Sequence, residues 1–233
     1  MTNAIEVEGL ASGYGTSQVV SDVSFTLAKS EVLAIVGRNG MGKTSLLKTL
    51  LGFLPAWRGT IRIIGQDVTR MPPHLKRRLG VVYVPQEQAL FQDLSIRDNL
   101  RLGILSDRDF DPALDQVGQW FPVLTQRLRQ RAGTLSGGEQ KMLIVARALM
   151  ARPEILLLDE VTEGLQPSLV DRLSNVLTQV RQDVGTSMVV IEQHLPFALG
   201  IAGRYLVFKR GEIVDSAGVD AGAAERIESQ MRI

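Results

Sequence analysis

One short stretch limits what this chain can fold into more than any other. Gly37-Arg38-Asn39-Gly40-Met41-Gly42-Lys43-Thr44 fits the pattern G-x-x-x-x-G-K-[ST]. The apolar run Val32 to Val36 precedes it, and the helix-compatible stretch from Thr44 to Leu51 follows. A polyphosphate carries dense negative charge, and inward-facing backbone N–H groups can cradle it only where bulky side chains are missing. Gly37, Gly40 and Gly42 supply that freedom. Lys43 is placed to meet the β- and γ-phosphates, and the Thr44 hydroxyl to meet Mg²⁺. The spacing therefore predicts a strand, a phosphate-binding loop and a helix, a unit that belongs in a parallel sheet.

The rest of the chain supplies the partners for such a sheet. Short apolar runs recur at Val81 to Val84, Ile155 to Leu158, Met188 to Ile191 and Tyr205 to Phe208. Continuous runs of this length, separated by helical stretches, indicate parallel strands covered on both faces. After Pro167, apolar residues at Leu169, Leu173, Val176, Leu177 and Val180 form a helical stripe, and Pro167 suits a first helical turn. Gly133 and the Gly137–Gly138 pair punctuate a loop, and Glu139 to Ala151 reads as a helix behind it. Ile5 to Leu10 and Val19 to Leu27 predict an antiparallel sheet joined to the core. The segment from about 87 to 151 predicts a helical insertion. The last residues, Asp215 to Ile233, fit either a short helix or a frayed tail.

Composition removes several function classes. Across 233 residues the chain carries 26 Lys and Arg against 25 Asp and Glu, a net charge of +1, which argues against coating nucleic acid through bulk charge. There is no cysteine, so disulfides, iron–sulfur clusters and thiolate zinc sites are excluded, and two histidines do not make a multi-histidine metal site. No apolar run approaches the roughly 20 residues that span a bilayer. The N-terminal MTNAIEVEGL has an early glutamate and no apolar signal core, so the expected location is the cytosol.

A second acidic element follows the apolar run Ile155 to Leu158, which ends in Asp159 and Glu160. At the carboxyl end of a parallel strand, Asp159 can reach Mg²⁺ directly or through water. Glu160 points elsewhere and can orient or deprotonate an attacking water.

Leu135-Ser136-Gly137-Gly138-Glu139-Gln140 lies between these two elements, and the set resembles the motifs of ABC-type ATPases. The resemblance runs from Tyr14 to about Val214. It implies a P-loop NTPase fold of α/β class. The RecA-like parallel core and an N-terminal antiparallel β-subdomain would occupy about 1–86 and 152–215. A helical subdomain would occupy about 87–151, and a C-terminal tail 216–233. It implies ATP bound by Tyr14, which matches the aromatic that stacks on adenine, and by Gly37, Arg38, Asn39, Gly40, Met41, Gly42, Lys43, Thr44 and Ser45. Gln86 matches the family's Q-loop and, with Thr44 and Asp159, would hold Mg²⁺. Glu160 matches the catalytic glutamate, with Lys43 and Gln193 stabilising charge. Ser136, Gly137, Gly138 and Glu139 would close over the γ-phosphate held by a second ATPase subunit, as a homo- or heterodimer.

GRNGMGKTSLLKTLLG and Thr162-Glu163-Gly164-Leu165-Gln166-Pro167 are similar to one ATPase subunit of the branched-chain amino acid uptake systems. Ile191 to Ala198 is similar to the urea- and amide-type members of that sub-family. The implied partners are membrane permease subunits and a substrate-binding protein, with no nucleic acid, and the implied site is the cytoplasmic face of the inner membrane. The alternative is a soluble ATPase that remodels a protein assembly or acts on nucleic acid. The 49 residues from Gln86 to Leu135 leave no room for the long coiled-coil insert common in the nucleic-acid class.

Three departures from the family pattern stand out. The position 33 residues beyond Glu160, where most members carry histidine, is Gln193, with His194 next to it as the alternative. Val161 replaces the usual Pro, and Gln166 the usual Asp. Phe91, Leu94 and Ile96 are expected either to face a membrane subunit or to fill the helical core.

Overall fold

The computed structural model describes residues 3–87 and 90–232; the part of the expected helical insertion at 88–89 lies outside them, as do 1, 2 and 233. Two long strands, β1 (Asn3–Tyr14) and β2 (Ser17–Ala28), pair antiparallel. β3 (Val32–Val36), the phosphate loop and α1 (Lys43–Leu51) follow. β4 (Ala56–Ile63) and β5 (Gln66–Asp67) return to the first sheet, in the order β2-β1-β4-β5. Then come α2 (Pro73–Arg78) and β6 (Val81–Val84). The helical region holds α3 (Ile96–Arg101), α4 (Phe110–Trp120), α5 (Pro122–Thr125) and α6 (Gly137–Leu149). The chain then runs through β7 (Ile155–Asp159), α7 (Pro167–Val184), β8 (Ser187–Glu192) and α8 (Leu195–Ile201). It ends in β9 (Arg204–Lys209), β10 (Glu212–Gly218) and α9 (Ala223–Met231).

The second sheet has the order β10-β9-β3-β8-β7-β6, parallel except for the edge strand β10. Every residue of β3, β7 and β8 is buried, which is why these strands read as unbroken apolar runs. Alternate residues serve opposite faces. Leu156, Leu158, Met188 and Val190 pack toward α6 and α7. Leu33, Ile35, Leu157 and Val189 pack toward α1 and the antiparallel sheet. A third cluster joins Ala34, Val36, Tyr205 and Val207 to α8 and α9. Trimming a fully buried residue such as Leu47 to Ala costs about 2–5 kcal/mol. The parallel register brings four strand ends to one edge: Val36 pairs Glu192, Asp159 pairs Ile191, and Val84 pairs Leu158. Among the described residues no helix is long and apolar enough to cross a membrane.

The structure adds elements that the sequence did not announce and resolves alternatives that it left open. β4, β5 and α2 were not anticipated; the alternation Thr60-Ile61-Arg62-Ile63 is a half-buried strand paired on β1. The expected tail boundary at 216 falls inside β10, whose ladder to β9 takes residues through Gly218, and of the two alternatives for the last residues, a short helix or a frayed tail, the short helix is found, as α9. The buried stripe of α7 adds Val170, while Leu169 is partly buried, packed against the same core and close to Gly138. Ile96 is fully buried in the helical core, while Phe91 and Leu94 are 57% and 38% exposed.

Candidate functional site

The phosphate loop is built on close approaches that only glycine allows at two points. A Cβ on Gly37 would lie 2.2 Å from the Phe208 carbonyl oxygen of β9. Gly42 has φ +99°, and a Cβ there would lie 2.8 Å from the Val19 carbonyl oxygen. Between them the loop bounds a cleft of about 310 Å³ lined by Val19, Asn39 to Ser45, Gln86 and Glu160.

Lys43 is 4% exposed and turns back into its own loop. Its ammonium donates to the carbonyls of Gly37 (2.8 Å) and Arg38 (2.9 Å) and lies 3.4 Å from Glu160 Oε1. Burial pushes this ammonium's pKa down, and the neighbouring Glu160 carboxylate opposes that shift. The Thr44 hydroxyl donates to Asp159 Oδ1 at 3.2 Å, and the Tyr83 hydroxyl to Asp159 Oδ2 at 3.0 Å. Burial raises the Asp159 carboxyl, and those two donors restrain the shift. It also raises the Tyr83 phenol, with Asp159 adding to the effect.

Glu160 collects donors from three directions. Besides Lys43, the side-chain amides of Gln86 and Gln193 each donate to Oε2 at 3.1 Å. Of the two candidates after β8, Gln193 is therefore the one brought against Glu160; its amide also donates to Asn39 (2.6 Å). His194 starts α8 without a side-chain cap bond and lines the wider cleft of about 470 Å³ beside Glu160 and Thr162. Gln86, expected with Thr44 and Asp159, instead faces the two glutamates, donating to Glu163 Oε2 at 2.9 Å as well. Its Nε2 is a donor, and carboxylate oxygens are what it finds. Tyr14 closes β1 at 50% exposure, outside the lining of the phosphate cleft.

The loop at 135–140 is organised differently. Ser136 caps α6 with a reciprocal box: Glu139 N–H donates to Ser136 Oγ, and Ser136 N–H donates to Glu139 Oε2 at 3.0 Å. Arg127 holds Glu139 from the side at 3.0 Å. A Cβ on Gly138 would strike Leu169 Cδ1 at 2.2 Å, whereas one on Gly137 would meet open space. None of these residues lines the phosphate cleft.

Sequence reasoning gave no site role to Tyr83, Thr162, Glu163 or Glu192. Glu192 had a signal: it ends an apolar run just as Asp159 does. Glu163 had none, since only the fold shows that its carboxylate meets Gln86 while its carbonyl accepts from Lys141 of α6.

A glycine loop after the central strand, with Asp159 and Glu160 at the end of a nearby parallel strand, defines a P-loop NTPase. The chain belongs to the ABC transporter family, whose match covers residues 20–163. It is 38% identical over 213 residues to the high-affinity branched-chain amino acid transport ATP-binding protein BraG of Pseudomonas aeruginosa, covering 91% of this chain and 90% of that one. It is 31% identical over 216 residues to the lipopolysaccharide export system ATP-binding protein LptB of Haemophilus influenzae, covering 90% and 88%. A crystal structure of a nucleotide-free ATP-binding cassette from an ABC transporter superposes with a TM-score of 0.88 at 23% identity, covering 98% of this chain and 96% of that one. The chain is thus an ATPase domain that couples nucleotide hydrolysis to transport.

Proposed function

We propose that this chain is the ATP-hydrolysing subunit of an importer for branched-chain amino acids or for urea and short amides. It would work as one of a pair docked under permease subunits at the cytoplasmic face of the membrane, served by a substrate-binding protein. Adenine stacks on Tyr14, and the phosphates lie along Gly40, Gly42, Lys43 and Thr44. Lys43 leaves the Gly37 and Arg38 carbonyls to meet the γ-phosphate. Glu160 orients and deprotonates water for in-line attack, and Gln193 donates a hydrogen bond to the charge that develops. The partner's copy of Ser136 to Glu139 covers the γ-phosphate from the far side.

Thr44 Oγ1 and Asp159 Oδ1 form a hard-oxygen pair, and no cluster of three His, Asp or Glu forms a cage among the described residues. That set fits Mg²⁺, which keeps most of its sites for phosphate and water oxygens and neutralises phosphate charge when bound. Thr44 and Asp159 would hold it, with Gln86 next to Glu160 to reach the attacking water.

The observation that carries the reading is the convergence of Lys43, Gln86 and Gln193 on one carboxylate, Glu160, at the mouth of the phosphate loop. Replacing Glu160 with Gln should cut turnover by about 10²–10³-fold while ATP affinity stays within twofold. Full hydrolysis by that variant would remove Glu160 from the mechanism. Import is supported by the similarity to BraG. A second reading, export, is supported by the similarity to LptB. Copurification from native membranes decides between them: a bound permease together with a substrate-binding protein means import, and a permease with no such protein means export.

A further inference from the structure

Glu192 has no part in the mechanism above, yet it is 2% exposed and spends both carboxylate oxygens on one neighbour. The Thr162 N–H donates to Oε1 at 2.9 Å and the Thr162 hydroxyl to Oε2 at 2.8 Å. Burial pushes the Glu192 carboxyl up, and the two Thr162 bonds offset part of that cost. A buried carboxylate is expensive, so one held by a two-point bond at this place calls for a reason.

The reason lies two residues upstream of Thr162. Glu160 has φ +47°, in the left-handed region. A side-chain-bearing residue there costs about 1–2 kcal/mol and persists only where its surroundings over-determine it. Two fastenings flank Glu160, and both reach to the end of β8. Its own N–H donates to the Ile191 carbonyl at 2.9 Å, and Thr162 is held by Glu192. The next residue along β8 is Gln193, whose amide donates to Glu160 Oε2. One strand end therefore carries one contact of Glu160 and, through Thr162, the constraint on its turn.

We propose that Glu192 and Thr162 form a clasp that positions Glu160 against Gln193, acting on hydrolysis through those two residues and not on the substrate. The proposal rests on the reading that Glu160 activates water.

Four variants of the full chain test it. Thr162→Val keeps the shape and loses the hydroxyl; Thr162→Ser keeps the hydroxyl. Glu192→Leu removes both acceptors. Glu192→Gln removes the charge but keeps an oxygen for the Thr162 N–H and an amide N–H for its hydroxyl oxygen. The expected kcat for ATP falls about 10–100-fold in Thr162→Val and Glu192→Leu, the scale of a misplaced catalytic group, with KM within twofold. Thr162→Ser and Glu192→Gln stay within about threefold of the parent, since their bonds survive. Amide exchange at Thr162 reads the clasp without turnover: protection drops in Glu192→Leu and holds in Glu192→Gln. Full kcat in Thr162→Val overturns the proposal. So does a Glu192→Gln variant that binds ATP normally but turns over as slowly as Glu192→Leu, because charge and not position would then be the requirement. Unchanged exchange in Glu192→Leu overturns it as well. If Glu160→Gln hydrolyses at full rate, the assignment of Glu160 fails, and the exchange result still decides whether the clasp exists.

Discussion

The two glycine-bearing loops of this chain, 37–44 and 135–140, each lead into a helix, and the structure finishes them in opposite ways. The phosphate loop closes on itself. Lys43 bonds two carbonyls of its own loop and faces Glu160, and Gly37 and Gly42 are pressed against β9 and β2. The loop at 135–140 is closed only behind, by the Ser136–Glu139 box and by Leu169 over Gly138, while Gly137 faces open space. A cleft with its own lysine and carboxylate brings a cation and a candidate base together on one wall. A capped helix N-terminus with an open glycine offers donors to an anion that this chain does not itself place there.

The difference is open to attack by substitution. The largest effect belongs to the self-contained loop: Lys43→Met should weaken ATP binding and lower kcat/KM by about 10³-fold, because the buried cation that the proposed function sets against the phosphates is lost. Isothermal titration and steady-state hydrolysis measure the two parts; an unchanged affinity would contradict the loop's role.

The far end of the same helix offers the next test. Lys76 of α2 is fully buried and donates to the Leu50 carbonyl at the end of α1 at 2.8 Å. Burial lowers its pKa from 10.5 to about 8. Between those values the unfolded chain binds the proton that the folded chain has released, so this group's contribution to stability rises as pH climbs from about 8 toward 10.5. Wild type should therefore gain on the order of 2–3 kcal/mol against Lys76→Met across that window, read as the difference in urea unfolding free energy. A flat difference would mean that the ammonium stays charged in the folded protein.

A smaller change sharpens the other side of the comparison. Gly137→Ala adds a methyl where this chain leaves space. It should leave folding and ATP affinity unchanged and lower turnover about tenfold or more, because under the proposed function the methyl meets the nucleotide held by the partner. Equal turnover would remove this loop from the reaction. Glu139→Ala should be mildest, costing about 1 kcal/mol of thermal stability by opening the capping box.

What could be read in advance follows from how local each signal is. The loop Gly37–Thr44 announces itself because phosphate binding demands small residues at fixed spacing, and Asp159–Glu160 because two acids end an apolar run. β4 was hidden because its alternation sits between helix-like stretches and becomes a strand only by pairing on β1. Tyr83 was hidden inside the run Val81 to Val84, where its ring reads as core and only the fold brings its hydroxyl to Asp159.

The linear chain by itself determined the class of fold, the phosphate loop and the identity of the acidic pair, since each depends on the chemistry of neighbouring residues. Tertiary structure alone set Gln86 against two glutamates and Glu192 against Thr162, and it brought Gln193, the position that the spacing from Glu160 already favoured, onto Glu160. Those are contacts between the ends of parallel strands. Such ends meet because of strand order and register, which no single segment of the chain carries.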